Sequence, residues 1–181
     1  MTAIEETGTA PVGKSTQDGG LPLSVGDATR TLTLPHLPYA DAVHTELKAV
    51  GLPPMVLEVG VRQEESRPYG SKPGIVSVLF MRLVWPAGSP ALGDSVRHAG
   101  LTLVWSHVTG WTVRHGHDEA VLLGIDPLAS PEVLAFAARF MARHRLPGAW
   151  EPPAGVVARW SEAVYLDIAL AYYEDRGGEV R

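Results

Sequence analysis

The stretch LTLVWSHVTGWTVRHGHDEAVLLG, residues 101–124, places the tightest limit on what this chain can fold into. LTLVWS (101–106), WTVRH (111–115) and EAVLLG (119–124) have strand-like composition, and only HVTG and GHD separate them. A parallel pair needs a crossover of roughly a dozen residues or more. These connections are far too short for that and suit hairpins. Consecutive strands must therefore be neighbours in an antiparallel meander.

The flanking sequence extends the pattern. MVLEVGVR (55–62) alternates, with Leu57, Val59 and Val61 on one side, as a half-buried strand requires. IVSVLFMRLVW (75–85) is apolar on both faces, like a central strand. QEESRPYGSKPG between them, and PAGSPALGDSVRHAG after them, read as loops. TRTLTL (29–34) alternates and could add a short edge strand. In PYADAVHTELKAVG the residues Tyr39, Val43, Leu47 and Val50 share one helical face, with Pro38 in the first turn and Gly51 as the stop. SPEVLAFAARFMARHRLPG predicts a second helix with Ser130 as N-cap and Pro131 and Glu132 in its first turn. Its expected buried stripe is Val133, Phe136, Ala137, Phe140 and Met141, with His144 and Arg145 at the C-terminal turn.

A third helix is expected over VVARWSEAVYLDIALAYYED. Val157, Trp160, Val164, Ile168 and Tyr172 form one stripe, and Leu166, Leu170 and Tyr173 spill onto a second. The fold class is α+β: an antiparallel sheet of four to five strands in a meander, helices on one face, and a C-terminal helix. Residues 1–34 read as a flexible tail, 35–146 as the core domain, and 147–181 as linker and terminal helix. The expected core joins Leu79, Leu83, Leu103, Val113, Leu122, Phe136 and Phe140.

Composition excludes several functions. The net charge of −5 argues against general nucleic-acid binding, which needs clustered Lys and Arg. With no cysteine, disulfides, thiolate nucleophiles and Cys-based metal sites are ruled out. No signal peptide is visible, and the most apolar run is too short to span a bilayer and contains Arg82. A cytoplasmic bacterial protein that makes no membrane contact is expected.

GTAPVGKS (8–15) matches the phosphate-loop pattern, yet a working loop lies between a buried strand and a helix. Here MTAIEET precedes it, and Gly19, Gly20 and Pro22 follow where the helix should run. Lys14 is expected to hold no nucleotide, and Asp126, before a proline, fits a turn better than a metal-binding role.

His98, His107, His115 and His117 lie within one short stretch, and His115 and His117 with Asp118 or Glu119 could form a two-His, one-carboxylate set. Gly116 sits between those histidines where the chain must turn, so the rings should splay; no metal and no cofactor are expected. Trp85, Trp105, Trp111, Trp150 and Trp160 could line a ligand rim, although tryptophan is more often core. No Ser/His/acid order or paired carboxylates stand out.

Residues 35–146 resemble a group of small actinobacterial proteins, a domain family of unknown function. The likeness rests on YADAVHTELKAVGL, LTLVWSHVTGWTV and LLGIDPLASPEVLAFAARFM, with Leu103, Trp105, Gly110 and Trp111, then Asp126, Pro127, Leu128 and Pro131. That family carries acidic residues directly after the first Trp, where this chain has Ser106 and His107. The resemblance implies the α+β fold and no activity.

The reading with most support is a non-enzymatic binding or adaptor module acting through protein–protein contacts. The alternative is a small-molecule-binding or metal-assisted enzyme using His107, His115 and His117 with Trp105 and Trp111. Expected contact residues are Trp105, His107, Trp111, His115, His117, Leu170 and Tyr173. The second stripe of the last helix, Leu170 and Tyr173 included, is expected to meet a partner or a second copy in a homodimer; the alternative is that the helix folds back over the sheet and is clasped in a groove of its own domain.

Overall fold

A computed structural model describes residues 34–66, 74–118, 120–145 and 150–175. The expectations for the tail, for Lys14 and for Glu119 lie outside these residues. In chain order the elements are α1 (Leu37–Ala49), β1 (Val56–Ser66), β2 (Gly74–Trp85), α2 (Asp94–Arg97), β3 (Leu101–Ser106), β4 (Gly110–His115), β5 (Val121–Leu122), α3 (Pro131–Met141) and α4 (Ala163–Asp175). The sheet order is β1-β2-β3-β4-β5, and every pairing is antiparallel. The short HVTG connection makes β3 and β4 antiparallel neighbours, and the expected meander is what forms.

Register places Leu83, Leu103 and Val113 in one row and Met81, Trp105 and Trp111 in the next. All are buried, as is Leu79. On the other face Glu58 is paired with Arg82 at the surface. Helices α1 and α3 pack on the buried face and against each other. α1 buries Tyr39, Ala40, Val43 and Leu47. Ser130 caps α3 by accepting the Val133 N–H at 3.2 Å, and Pro131 opens the helix, so its start was readable. Ala163, Leu166 and Tyr173 of α4 join the same buried cluster.

Four local expectations need correction. The loop after β2 contains the short helix α2, which buries Val96; Leu92 before it is also buried. β5 is shorter than EAVLLG suggested, and its Thr112↔Leu122 register turns Leu122 outward at 61% exposure while Leu123 is buried. A one-residue offset along a strand exchanges its faces.

The buried side of α3 is also rotated. Val133, Ala137 and Met141 are buried as expected, but Leu134, Ala135 and Ala138 accompany them. Phe140 is 37% exposed and lies on the His144 ring, with centroids 4.6 Å apart. Phe136 is half-buried and lines a groove between α1 and α3 with Glu46, Val50, Glu132, Ala135 and Arg139. Alanines on the inner side let the helices approach closely, and two phenylalanine rings would hold them apart. Phe136→Ala should therefore cost only about 1–2 kcal/mol, less than the ~3–5 of a fully enclosed ring, in urea unfolding.

Finally, α4 begins at Ala163, seven residues later than the pattern VVARWSEAVYLDIALAYYED suggests. The lead-in is extended because its backbone pairs with the approach to α3. Ser130 N–H donates to Ala158 O at 3.0 Å and Trp160 N–H to Leu128 O at 2.9 Å.

Candidate functional site

The expected site residues fall in three places: Trp105, His107 and Trp111 at the β3–β4 turn, His115 and His117 at the opposite end of β4, where His115 pairs with Leu101, and Leu170 and Tyr173 on α4. Trp105 and Trp111 face each other across β3 and β4 and are fully buried. Tyr39 of α1 meets both rings edge-on, at 5.9 and 6.3 Å, and the Trp160 ring lies 5.0 Å from Tyr39 in a tilted arrangement. This aromatic stack joins sheet, α1 and the lead-in to α4.

The polar side-chain atoms of Tyr39, Trp105 and Trp111 each have a structural partner. Trp111 Nε1–H donates to the Tyr39 hydroxyl at 3.1 Å, and that hydroxyl donates to Ala129 O at 2.7 Å. Trp105 Nε1–H donates to Pro127 O at 2.7 Å. The aromatics thus tie the 127–129 connection, which lies away from their own strands in sequence, onto the sheet. Burial pushes the Tyr39 phenol well above its ordinary range, so it remains a hydrogen-bond donor.

The histidines also bond to backbone, but with one ring nitrogen each: Nδ1 of His36 and of His115 is buried without a hydrogen-bond partner among the described residues. His36, which the sequence reading passed over, lies 5.4 Å from the Trp105 ring and donates from Nε2 to Phe80 O at 2.9 Å. Burial is the main cause that lowers its pKa from 6.5 to about 4; the bond to Phe80 opposes this and His107 adds to it. His107 accepts the Leu79 N–H on Nδ1 at 3.1 Å, while its ring meets Tyr173 edge-on at 5.7 Å. His115 is buried and donates from Nε2 to Met141 O at 2.9 Å.

His117 is exposed, as is His98. Gly116 between His115 and His117 has φ +55, and a Cβ there would lie 3.0 Å from Ala99 O. That left-handed turn sends His115 inward and His117 out. Asp118 is paired with Arg145 at 3.3 Å. Among the described residues no three His, Asp or Glu side chains converge as a metal would need. Asp126 accepts the Leu128 N–H at 2.8 Å and both its oxygens accept from Arg159 Nη1 at 2.8 Å, while Arg159 also reaches Asp167 of α4. Asp126 is therefore a turn and ion-pair residue.

Ser106 closes the β3–β4 turn. Its Oγ accepts the Thr109 N–H at 3.0 Å and bonds the Thr109 hydroxyl at 2.7 Å. A short acceptor at the first position of a tight turn is a common requirement, met by Asp, Asn or Ser alike.

On α4 the two stripes have exchanged roles. Tyr173 is 7% exposed and Leu166 3%, and Leu170 packs against the core beside them. Leu170 and Tyr173, expected to face a partner, are turned onto the chain's own fold. Val164, Ile168 and Tyr172, expected to face the core, are exposed at 55, 52 and 65%, with Tyr165 beside them at 72%. Leu166 and Ile168 are two positions apart, about 200° around the helix, so the two apolar faces are opposite each other. Val157, also expected on the inner stripe, is exposed at 69% in the extended lead-in.

No family model, curated protein or solved structure matches the chain. Among the described residues no helix is long and apolar enough to cross a membrane.

Proposed function

We propose that this protein is a non-enzymatic binding module that engages another protein through the outward stripe of α4. One observation carries the reading: Val164, Tyr165, Ile168 and Tyr172 lie together and exposed on the face opposite the one buried by the fold. Contiguous exposed apolar patches of this kind mark contact sites. Tyrosines favour such surfaces because their rings combine large contact area with a polar tip. The histidine and tryptophan set supports an enzyme less well, since Trp105, His36 and His115 each donate to a backbone carbonyl and the set is divided between the two ends of β4.

The double variant Ile168→Glu/Tyr172→Glu tests the reading. Both side chains are exposed, so stability should move by no more than about 1 kcal/mol. Crosslinking in native extract should give an adduct with the unmodified chain and none with the variant. Identical adduct patterns for the two proteins would reject α4 as the contact surface.

A further inference from the structure

The edges of the sheet are built differently. β5 is two residues long, whereas β1 runs for eleven, Val56–Ser66. Natural sheets blunt an edge with proline, a bulge, a short strand or a covering segment. β1 contains no proline, and it pairs with β2 residue for residue along its whole length, so no bulge bends it.

The ladder decides which backbone groups this edge presents. His107 N–H donates to Leu79 O at 3.3 Å and Leu79 N–H donates to His107 Nδ1 at 3.1 Å, so the backbone of Leu79 faces β3. Successive residues of a strand turn their N–H and C=O to opposite sides, so Val78 and Phe80 face β1. Their partners Arg62 and Gly60 face β2 in return. Leu57, Val59, Val61 and Gln63 therefore present N–H and C=O on the outer side of β1. Among the described residues nothing bonds these groups.

We infer that the free edge of β1 takes β1 of a second copy, antiparallel about a two-fold axis at Gly60, so that two five-stranded sheets join into one. Charge selects this occupant and this register. With the axis at Gly60, each Glu58 stands opposite Arg62 of the copy, in the pairs where side chains approach most closely. An axis at Val61 would set Glu58 against Glu64, and one at Val59 would leave Glu58 opposite Gly60. Within one chain Glu58 meets Arg82 and Arg62 meets Glu64, all at the surface, so each charge can be shared across the axis. On the opposite face Val59 meets Val61 of the copy, covering a side chain that is 37% exposed. The four outward residues of each strand then exchange about eight backbone hydrogen bonds. A strand from an unrelated protein would need no such self-matching charges. Once β1 is paired, only the two-residue β5 edges remain, so assembly stops at two copies. The inference is independent of α4 as a contact surface.

Sedimentation velocity on the full chain should show a monomer–dimer equilibrium between micromolar and hundred-micromolar concentrations. Hydrogen exchange should show the Val59 and Val61 amides slowing as concentration rises. Val61→Pro removes a donor that points away from β2, so it should abolish the dimer and leave the circular dichroism spectrum unchanged. Glu58→Arg and Arg62→Glu should each weaken association by about tenfold, because like charges then face each other twice. The two substitutions together should restore it. A full chain that stays monomeric at hundred-micromolar concentration would overturn the proposal. A dimer that the charge variants leave unchanged, or that the double variant does not rescue, would overturn it as well. Loss of the dimer in Ile168→Glu/Tyr172→Glu instead would move the contact to α4. Val59 and Val61 amides protected equally at every concentration would give the edge to another segment of this chain, such as TRTLTL (29–34), and likewise reject the second copy.

Discussion

Trp111→Ala is expected to destabilise the protein by about 3–5 kcal/mol. The ring is fully buried between Trp105 and Tyr39, so truncation opens a cavity that β4 cannot close without moving its neighbours. For a domain of this size the loss corresponds to a melting temperature lower by on the order of 10 °C, readable by calorimetry. Trp111→Phe separates the ring from its hydrogen bond. It keeps most of the volume but removes the Nε1–H donated to Tyr39, whose hydroxyl still donates to Ala129 O. Its cost should be about 1 kcal/mol. Tyr39→Phe should cost more, about 2 kcal/mol, because it strands both the indole N–H and the Ala129 carbonyl. Equal, small losses for Trp111→Ala and Trp111→Phe would show that the stack is not the centre of the core.

Acid should weaken the fold through His36. Its folded-state pKa of about 4 lies below the ordinary 6.5, so the native state disfavours the proton. The contribution is fully present above pH 6.5. As pH falls below that value the unfolded chain takes up a proton that the native chain does not, and stability drops until the folded pKa is passed. The loss should reach about 2 kcal/mol by pH 5 and on the order of 3 near pH 4. His36→Gln keeps a side-chain N–H for Phe80 O and cannot titrate. Its stability should be flatter than that of the unmodified chain between pH 6.5 and 5, where few carboxylates yet change charge. Parallel pH profiles for the two proteins would assign the acid loss to other groups. The consequence is local: His36 joins the start of α1 to β2, beside Trp105.

α4 shows best where the sequence stopped being decisive. Its apolar residues lie on two faces, and periodicity alone weighs both equally. The fold chose between them through Arg159, which Asp126 and Asp167 hold, and through Tyr173, which sits against His107. Those contacts seat Leu166, Leu170 and Tyr173 inward and leave Ile168 and Tyr172 outside. Two of them, Arg159 to Asp126 and Tyr173 to His107, join residues distant in sequence, so no window along the chain contains them.

The order of β3, β4 and β5 was determined locally. Connections as short as HVTG permit only antiparallel neighbours, and Ser130-Pro131 starts α3 by chemistry confined to one turn. The splay of His115 and His117 followed from Gly116 in the same way. Which face of α3 and α4 is covered, and the role of His36, depended on tertiary structure. Phe136 was as good a core residue as Leu134 on hydrophobicity, and only the close approach of α1 to α3 favoured the smaller side chains. Sequence by itself set the pairing of β3, β4 and β5, because short connections restrict geometry directly, whereas the longer connections before β2 and β3 left their pairing to the fold. Side-chain burial on the helices was decided by the neighbours that the fold brought into contact.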